Sequence, residues 1–414
     1  MLDGTFEAHR MNTLSRLTGA AYGTHLADQV ALVAVPLVAA LAFDASPQLI
    51  GVLVACQSSA HLLGSIPFGI LVDQARLRIL LIASALLLFT GATGATTSIL
   101  FGTATGFGVS ITLAGFGTVL FSLTALSIVP RVSDSTSLAG ANAAIEVPRA
   151  LCSFAVPLTV GLAISDVSAW VIFATAGLGA GLSLICTTTM PEFETAPKPT
   201  GPILARIIEG GRYVVGHDLL LPIFLCAIFW NLAFAALLVA LVPVIQDVYR
   251  FDPGTFGIAL AAFGAGAFIG TSLARRVADK IAPKVVLLFG PGSSAVASAC
   301  LLLIGAGTPP VALYVCFFIL GFGPSMWLIA QNSVRQLVSP PVMLGRVNAV
   351  IQTAIYGVRP LGALLGGMVA GIGGPKTALM LATISFGASF AVSLLSGLRC
   401  IDSYASIKRP LISD

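Results

Sequence analysis

Charged side chains are scarce in this 414-residue sequence. Only 9% of the residues are Asp, Glu, Lys or Arg, against roughly 25% in a typical soluble protein. Hydrophobic residues make up 57%, and the mean hydropathy is +0.99. So few charges do not cover the surface of a soluble chain of this size. The composition therefore predicts a polytopic membrane protein and excludes a nucleic-acid-binding module, a disordered chain and a coiled coil.

Signatures of catalysis and metal binding are also missing. The sequence has no Walker loop, and its seven cysteines form no CxxC motif or Cys/His pair. The four histidines are scattered along the chain, at His9, His25, His61 and His217. We therefore expect a protein that is not an enzyme and that binds no cofactor and no metal ion.

Long apolar runs occur twelve times, and each is long enough to cross a bilayer as a helix of about 20 residues. They lie at about 17–43, 48–72, 78–100, 102–129, 139–165, 167–190, 219–246, 253–277, 285–306, 309–334, 343–371 and 375–398. This pattern predicts an all-α membrane protein with an N-terminal six-helix bundle (1–190) and a C-terminal one (219–399). A Pro-rich, charged linker (191–218), with a short surface helix at 203–216, joins the bundles, and residues 400–414 form a tail.

Basic residues predict the orientation of these spans. If the N-terminus is cytoplasmic, nearly all of the 21 Lys and Arg residues fall on the cytoplasmic face. Only Arg250 and Lys376 fall on the other face, and Arg149 and Arg359 lie within spans. This bias predicts that both termini and the linker are cytoplasmic.

An internal repeat appears when the sequence is shifted against itself by 206 residues. Gly115-Phe116-Gly117 then falls on Gly321-Phe322-Gly323, and Asn142-Ala143 falls on Asn348-Ala349. Matches of glycine with glycine, or of a polar residue with the same polar residue, are informative in a chain that is mostly apolar. Six spans in each repeat make the halves parallel, and in transporters such halves commonly enclose a substrate site near the midplane.

The loop after span 2 carries a family motif. Gly69, Leu71, Asp73 and Arg78 match the pattern G-x-L-x-D-R-x-G-R-R, which resembles the loop signature of the major facilitator superfamily. A weaker copy follows span 8. The glycines are expected to allow close helix approach, and the charges to cap helices or pair at a cytoplasmic gate. The gate residues implied by this resemblance are Gly69, Asp73, Arg76, Arg78, Gly270, Asp279 and Lys284. An ordinary charged loop is the alternative.

Two longer segments, 129–143 and 344–367, resemble the bacterial exporter branch of this superfamily that includes macrolide and enterobactin efflux proteins. The resemblance implies the major facilitator fold, with two pseudo-symmetric six-helix bundles. It further implies alternating access and proton-driven antiport of drug-like compounds or siderophores across the bacterial cytoplasmic (inner) membrane. The expected partners are the small-molecule substrate, protons and the lipid bilayer, with no nucleic acid, and a monomer is expected.

Ionisable residues within the spans are candidates for proton coupling, because charge inside a bilayer is costly unless it has a function. They are His25, Asp28, Glu146 and Arg149. Asp28 lies in the middle of span 1, and His25 shares its helical face. We expect Asp28 to carry the proton and Glu146/Arg149 to respond to it. The alternative is a self-contained ion pair in which Glu146 and Arg149 only neutralise one another.

Other polar and aromatic residues within the spans are candidates for a substrate cavity. They are Gln57, His61, Asn142, Trp230, Asn231, Trp327, Gln352 and Arg359. Arg359 is expected to attract an anionic group, or else to bond the carbonyls freed by Pro360. His61 and the tryptophans are also consistent with packing roles.

The sequence therefore predicts a twelve-span secondary transporter whose task is proton-coupled efflux of a small amphipathic compound. Two rivals stay open. A proton-coupled uptake permease for a metabolite would share the fold and differ in the direction of transport. A lipid flippase or a non-transporting membrane sensor is the second rival.

Overall fold

The computed structural model describes residues 2–132, 138–193, 203–277 and 280–407, which contain helices and no strand. The helices are α1 (Leu2–Ala42), α2 (Pro47–Gln74), α3 (Leu77–Leu100), α4 (Ala104–Val132), α5 (Leu138–Ala163), α6 (Ala169–Thr188), α7 (Ile203–Gly216), α8 (Leu220–Pro243), α9 (Gly254–Val277), α10 (Pro283–Leu303), α11 (Val311–Val338), α12 (Pro341–Gly373) and α13 (Pro375–Leu395). A π-helical turn, Val244–Tyr249, extends α8. Short 3-10 turns follow α13 at Gly397–Cys400 and Tyr404–Ser406.

Twelve of the helices in the described part of the chain are long and apolar enough to cross a membrane, which confirms the predicted number of spans. The exception is α7, which is present where the sequence predicts a short surface helix. Proline begins α2, α10, α12 and α13, where its missing N–H costs nothing. At α2, Ser46 also accepts a hydrogen bond from the backbone of Leu49 (3.4 Å).

The chain divides into two compact units, Met1–Pro199 and Thr200–Asp414. In the first unit α1 packs on α5 and α6, α3 packs on α4 and α6, and α2 packs on α4. In the second unit α8 packs on α12 and α13, α10 packs on α11 and α13, and α9 packs on α11. Because each pair in one unit has its counterpart in the other, the internal repeat is a repeat of helix packing.

The Gly-Phe-Gly motif explains part of this shared packing. A Cβ on Gly117 of α4 would lie 2.6 Å from the backbone of Leu88 on α3, and one on Gly323 of α11 would lie 2.9 Å from the Ser293 Cβ on α10. The first glycines of the two motifs face α2 and α9 in the same way. Each motif therefore lets one helix approach two neighbours closely, as small residues do at helix contacts in membranes.

The helix α7 and the C-terminal tail pack against the same end of the second unit. Val214 of α7, Leu398 of the 3-10 turn after α13 and Ile401 of the tail belong to a buried cluster with residues of α8, α10, α11 and α12. Tyr213 donates a hydrogen bond to the carbonyl of Val338 (2.6 Å), and Arg346 pairs with Glu209 (2.5 Å). The linker helix is thereby fixed to the C-terminal unit by both apolar and polar contacts.

Candidate functional site

Helix α1 presents its polar residues near α5, against which it packs. His25 is buried, with 6% of its surface exposed, and its ring meets the edge of Phe121 on α4 at 6.4 Å. Its Nδ1 atom is buried without a hydrogen-bond partner, and the positive charge of Arg149 on α5 reaches the imidazole. Two of the four predicted proton-coupling residues, His25 and Arg149, therefore lie close enough for the charge of one to act on the other.

Asp28 is half-buried, one turn along α1 from His25. Gln29 donates a long hydrogen bond to its Oδ2 atom (3.5 Å). The negative charge of Asp28 also reaches the thiol of Cys152 on α5. Asp28 therefore lies on the side of α1 that packs against α5.

Glu146 and Arg149 form an ion pair within α5, with 2.7 Å between Oε2 and Nη2. Their side chains are 53% and 60% exposed in the isolated chain. The intrahelical pair left open by the sequence is therefore present. It nevertheless remains within reach of α1, because Arg149 also acts on His25. Ser153, one turn further along α5, donates a hydrogen bond to the carbonyl of Ala150 (2.8 Å).

In the second unit, the corresponding helix pair α8 and α12 also joins two predicted residues. Arg359 donates from Nε to Oδ1 of the buried Asn231 (2.9 Å), and its guanidinium lies 5.4 Å from the ring of Tyr356. Asn231 in turn donates to the carbonyl of Ala227 (2.9 Å). The arginine is therefore held in place on the second unit, with an aromatic ring against one face.

Aromatic rings lie on either side of Asn231 along α8. Trp230 stacks on Phe234 (5.1 Å), which packs on Phe263 of α9 (5.0 Å), and the indole donates to Ser294 of α10 (3.0 Å). Trp327 lies on α11, and a Cβ on Gly290 of α10 would come 3.0 Å from its Cγ atom. Both tryptophans therefore lie against α10, Trp230 at Ser294 and Trp327 at Gly290.

The remaining predicted cavity residues are distributed over other helices. Gln57 and His61 are half-buried on α2, and Gln352 is exposed on α12. Ser65 donates a hydrogen bond to the backbone carbonyl of His61. The side chain of Asn142 lies outside the described part of the chain.

The predicted gate motif has contacts that the sequence does not reveal. Arg78 donates to the carbonyl of Thr188 at the end of α6 (3.0 Å) and lies 3.5 Å from Glu192. Arg16 donates to the next carbonyl, that of Thr189. Both arginines thus bond the terminal carbonyls of α6, where a helix dipole favours positive charge. Arg76 is exposed at the start of α3.

The expected helix contact at Gly69 is wrong, because a Cβ there would have no described atom within 4 Å. The same expectation is right at Gly270, whose Cβ would lie 3.2 Å from the Cα of Phe322 on α11. Lys284 pairs with Asp402 of the tail (2.5 Å). The side chain of Asp73 and the whole of Asp279 lie outside the described residues.

Phe121, Cys152 and Tyr356 contribute to these sites without having been predicted from the sequence. Only Tyr356 had a usable signal, since it lies three residues before Arg359 and so shares its helical face. Among the described residues, no group of three His, Cys, Asp or Glu side chains could hold a metal ion.

Comparison with known proteins identifies the family. The sequence profile of the Major Facilitator Superfamily matches residues 17–363, with a second match over 223–403. The enterobactin exporter EntS of Escherichia coli O1:K1 / APEC is 25% identical over 256 residues, which are 61% of this chain and 60% of that protein. EntS of Shigella dysenteriae serotype 1 (strain Sd197) is 27% identical over 258 residues, with the same shares. The matched region thus spans less than two thirds of these relatives.

Solved structures agree on the fold. A D-xylose-proton symporter superimposes with a TM-score of 0.72 at 13% identity, over 97% of this chain and 99% of that one. The peptide transporter POT in complex with sulfate gives 0.72 at 14% identity, over 92% of each chain. A bacterial homolog of the human lysosomal transporter Spinster gives 0.64 at 15% identity, over 96% of each. The chain, a multi-pass membrane protein with twelve spans, belongs to the Major Facilitator Superfamily of transporters.

Proposed function

We propose that this transporter exports a small amphipathic compound, drug-like or siderophore-like, in exchange for protons that flow inward. It does so by alternating access in a bacterial cytoplasmic membrane, with both termini in the cytoplasm. The observation that carries the proposal is the packing of α1 on α5, which brings His25 and Asp28 of one helix near Arg149 and Cys152 of the other.

Asp28 is the proton carrier in this proposal. When Asp28 is ionised, its negative charge acts across the α1–α5 contact, where it reaches Cys152. Protonation removes that charge and so changes the electrostatic energy of the α1–α5 contact. A change in protonation can therefore favour one conformation over another, provided that the two conformations bind the proton with different affinity.

In this proposal, Arg359 supplies the positive charge that binds the substrate. Its bond to Asn231 and its contact with Tyr356 fix a guanidinium beside an aromatic ring on α12. A compound with an aromatic ring and an acidic group matches this pair of features, since guanidinium groups bind oxyanions and stack on aromatic rings. The export direction draws support from the EntS relatives, which are named as enterobactin exporters.

Transport in proteoliposomes tests the proposal. The purified protein is reconstituted into liposomes with an acidic interior and no ATP, and accumulation of candidate compounds inside the liposomes is followed with and without a protonophore. We expect accumulation that needs the gradient and collapses with the protonophore. Accumulation in the opposite direction would identify an uptake permease, and gradient-independent movement of fluorescent lipid would identify a flippase.

A further inference from the structure

Buried polar atoms without partners are concentrated in one part of the second unit. Eight such side-chain atoms occur among the described residues, and six of them belong to the segment 327–348, at the end of α11 and the start of α12. They are on Trp327, Gln331, Arg335, Ser339, Arg346 and Asn348. Because nearly all buried polar groups in proteins have partners, a cluster of unsatisfied ones indicates a bound polar species.

Arg335 is the charged member of this cluster. It is half-buried near the end of α11, and Nη2 donates to Oδ1 of Asn332 (2.7 Å), while Nε has no partner. None of the ion pairs between described residues includes it. A half-buried guanidinium that no described carboxylate pairs with is costly in a membrane protein. The site therefore favours an anion.

Gln331 narrows the chemistry of that anion. It is 3% exposed and lies one turn before Arg335, and its Nε2 donates to the same Asn332 oxygen (2.6 Å). Its Oε1 atom is a buried acceptor with no donor. Gln331 Oε1 needs a hydrogen-bond donor, so an oxyanion that satisfies both residues through its own acid group presents an anionic oxygen to Arg335 and an O–H group to Gln331. Orthophosphate and phosphate monoesters carry both groups, whereas carboxylates, sulfate and phosphodiesters lack the hydroxyl.

The internal repeat shows that this arginine is not required by the fold. The position 206 residues before Arg335 is Val129, which is 1% exposed on α4, and the position before Gln331 is Ala125, which is also buried. The same helix packing is thus built in the first unit with apolar side chains. At these two positions the polar residues occur in the second unit only, as expected for a binding site.

We propose that α11 carries a phosphate site in which Arg335 binds the anionic oxygens and Gln331 accepts a hydrogen bond from the P–OH group. This end of the helix is predicted to face the cytoplasm. Either free orthophosphate or the phosphate monoester headgroup of phosphatidic acid offers the required chemistry. The site is separate from the proton-coupling residues of the first unit, so its occupation can be measured without transport.

Trp327, one turn before Gln331, is a built-in reporter. The other two tryptophans, Trp170 and Trp230, are replaced by Phe, and the emission of Trp327 is followed in nanodiscs of pure phosphatidylcholine during titration with orthophosphate at constant ionic strength. A second arm uses nanodiscs that contain phosphatidic acid and no added phosphate. We expect a saturable change in at least one arm, and the responding arm identifies the source of the ligand.

Single-residue variants test whether the change in Trp327 emission comes from binding at Arg335 and Gln331. Arg335→Gln is expected to weaken binding at least about tenfold, since it removes a charge-assisted hydrogen bond, whereas Arg335→Lys retains part of the affinity. Arg399→Gln, which changes an exposed arginine near the same end of the unit, should bind as the parent does. Calorimetry on the wild-type protein repeats the titration if the tryptophan variants do not fold. No saturable binding in either arm, equal affinity for sulfate, or unchanged affinity in Arg335→Gln would each overturn the proposal.

Discussion

Arg359 donates a hydrogen bond of 2.9 Å to Asn231, the residue that occupies the repeat position of His25. In the first unit, the arginine that acts on His25 is Arg149, whose repeat position is Ile355. In each unit, an arginine therefore lies near a polar residue of a neighbouring helix: α5 and α1 in the first unit, and α12 and α8 in the second. The two arginines lie at different turns of their helices. The equivalent helices carry different charges for what we propose are different tasks.

The bond between Arg359 and Asn231 predicts non-additive effects of mutation. Asn231→Ala and Arg359→Gln each remove one partner, so each should weaken substrate binding, and the double variant should be little worse than either single one. We expect a coupling energy of about 1.5–3 kcal/mol, the range for hydrogen bonds to charged groups. Substrate affinity measured for all four proteins gives this value. Strictly additive losses would show that the two residues act separately.

Reversing the ion pair in α5 tests whether the pair couples proton movement to transport or only stabilises the helix. The variant with Glu146→Arg and Arg149→Glu retains an i, i+3 pair but moves the positive charge away from its position near His25. We expect proton-coupled transport to fall at least about tenfold, a loss of some 1.4 kcal/mol. Thermal stability should change little, because exposed pairs contribute about 0.2–1 kcal/mol. Wild-type transport by the reversed pair would mean that Glu146 and Arg149 only neutralise one another.

Close helix approach at the two Gly-Phe-Gly motifs predicts matched stability losses. Gly117→Ala and Gly323→Ala place a methyl group within 3 Å of a neighbouring helix, and overpacking of this kind costs about 1–3 kcal/mol. Gly69→Ala is the control, because it has open space among the described atoms. Thermal unfolding in detergent should show lower midpoints for the first two variants and an unchanged one for the third. Equal midpoints for all three would contradict the packing described for α4 and α11.

The junction between α7 and α8 should weaken in mild acid. His217 accepts the N–H of Leu219 at Nδ1 (3.1 Å), and burial lowers the pKa of His217 below 6.5, against the opposing effect of Asp218. Because the folded-state pKa is the lower one, the folded junction binds fewer protons and loses stability as the pH falls through 6.5. Hydrogen exchange at 214–221, corrected for intrinsic rates, should rise between about pH 7.5 and 5.5. His217→Asn should abolish that rise, and an equal rise in the variant would assign it to another group.

The amino-acid sequence was sufficient to predict the spans, the repeat and the ion pair of α5. These features depend on local composition, on residue spacing and on glycines that recur at one offset. It did not predict that Arg78 bonds the end of α6, or that Lys284 pairs with Asp402. Those partners lie 110 and 118 positions apart, and only the packed structure brings them together. The expectation for Gly69 failed for a related reason, since a motif residue shows which loop it belongs to but not which helix lies beside it.

The proposal that Asp28 carries the proton is tested most directly by comparing two kinds of transport in Asp28→Asn. Substrate is followed in proteoliposomes, once driven by a pH gradient and once as exchange between labelled and unlabelled substrate without a gradient. Asp44→Asn, an exposed change just after α1, serves as the control. We predict that Asp28→Asn loses gradient-driven accumulation and keeps exchange, while Asp44→Asn keeps both. Wild-type accumulation by Asp28→Asn would contradict the account.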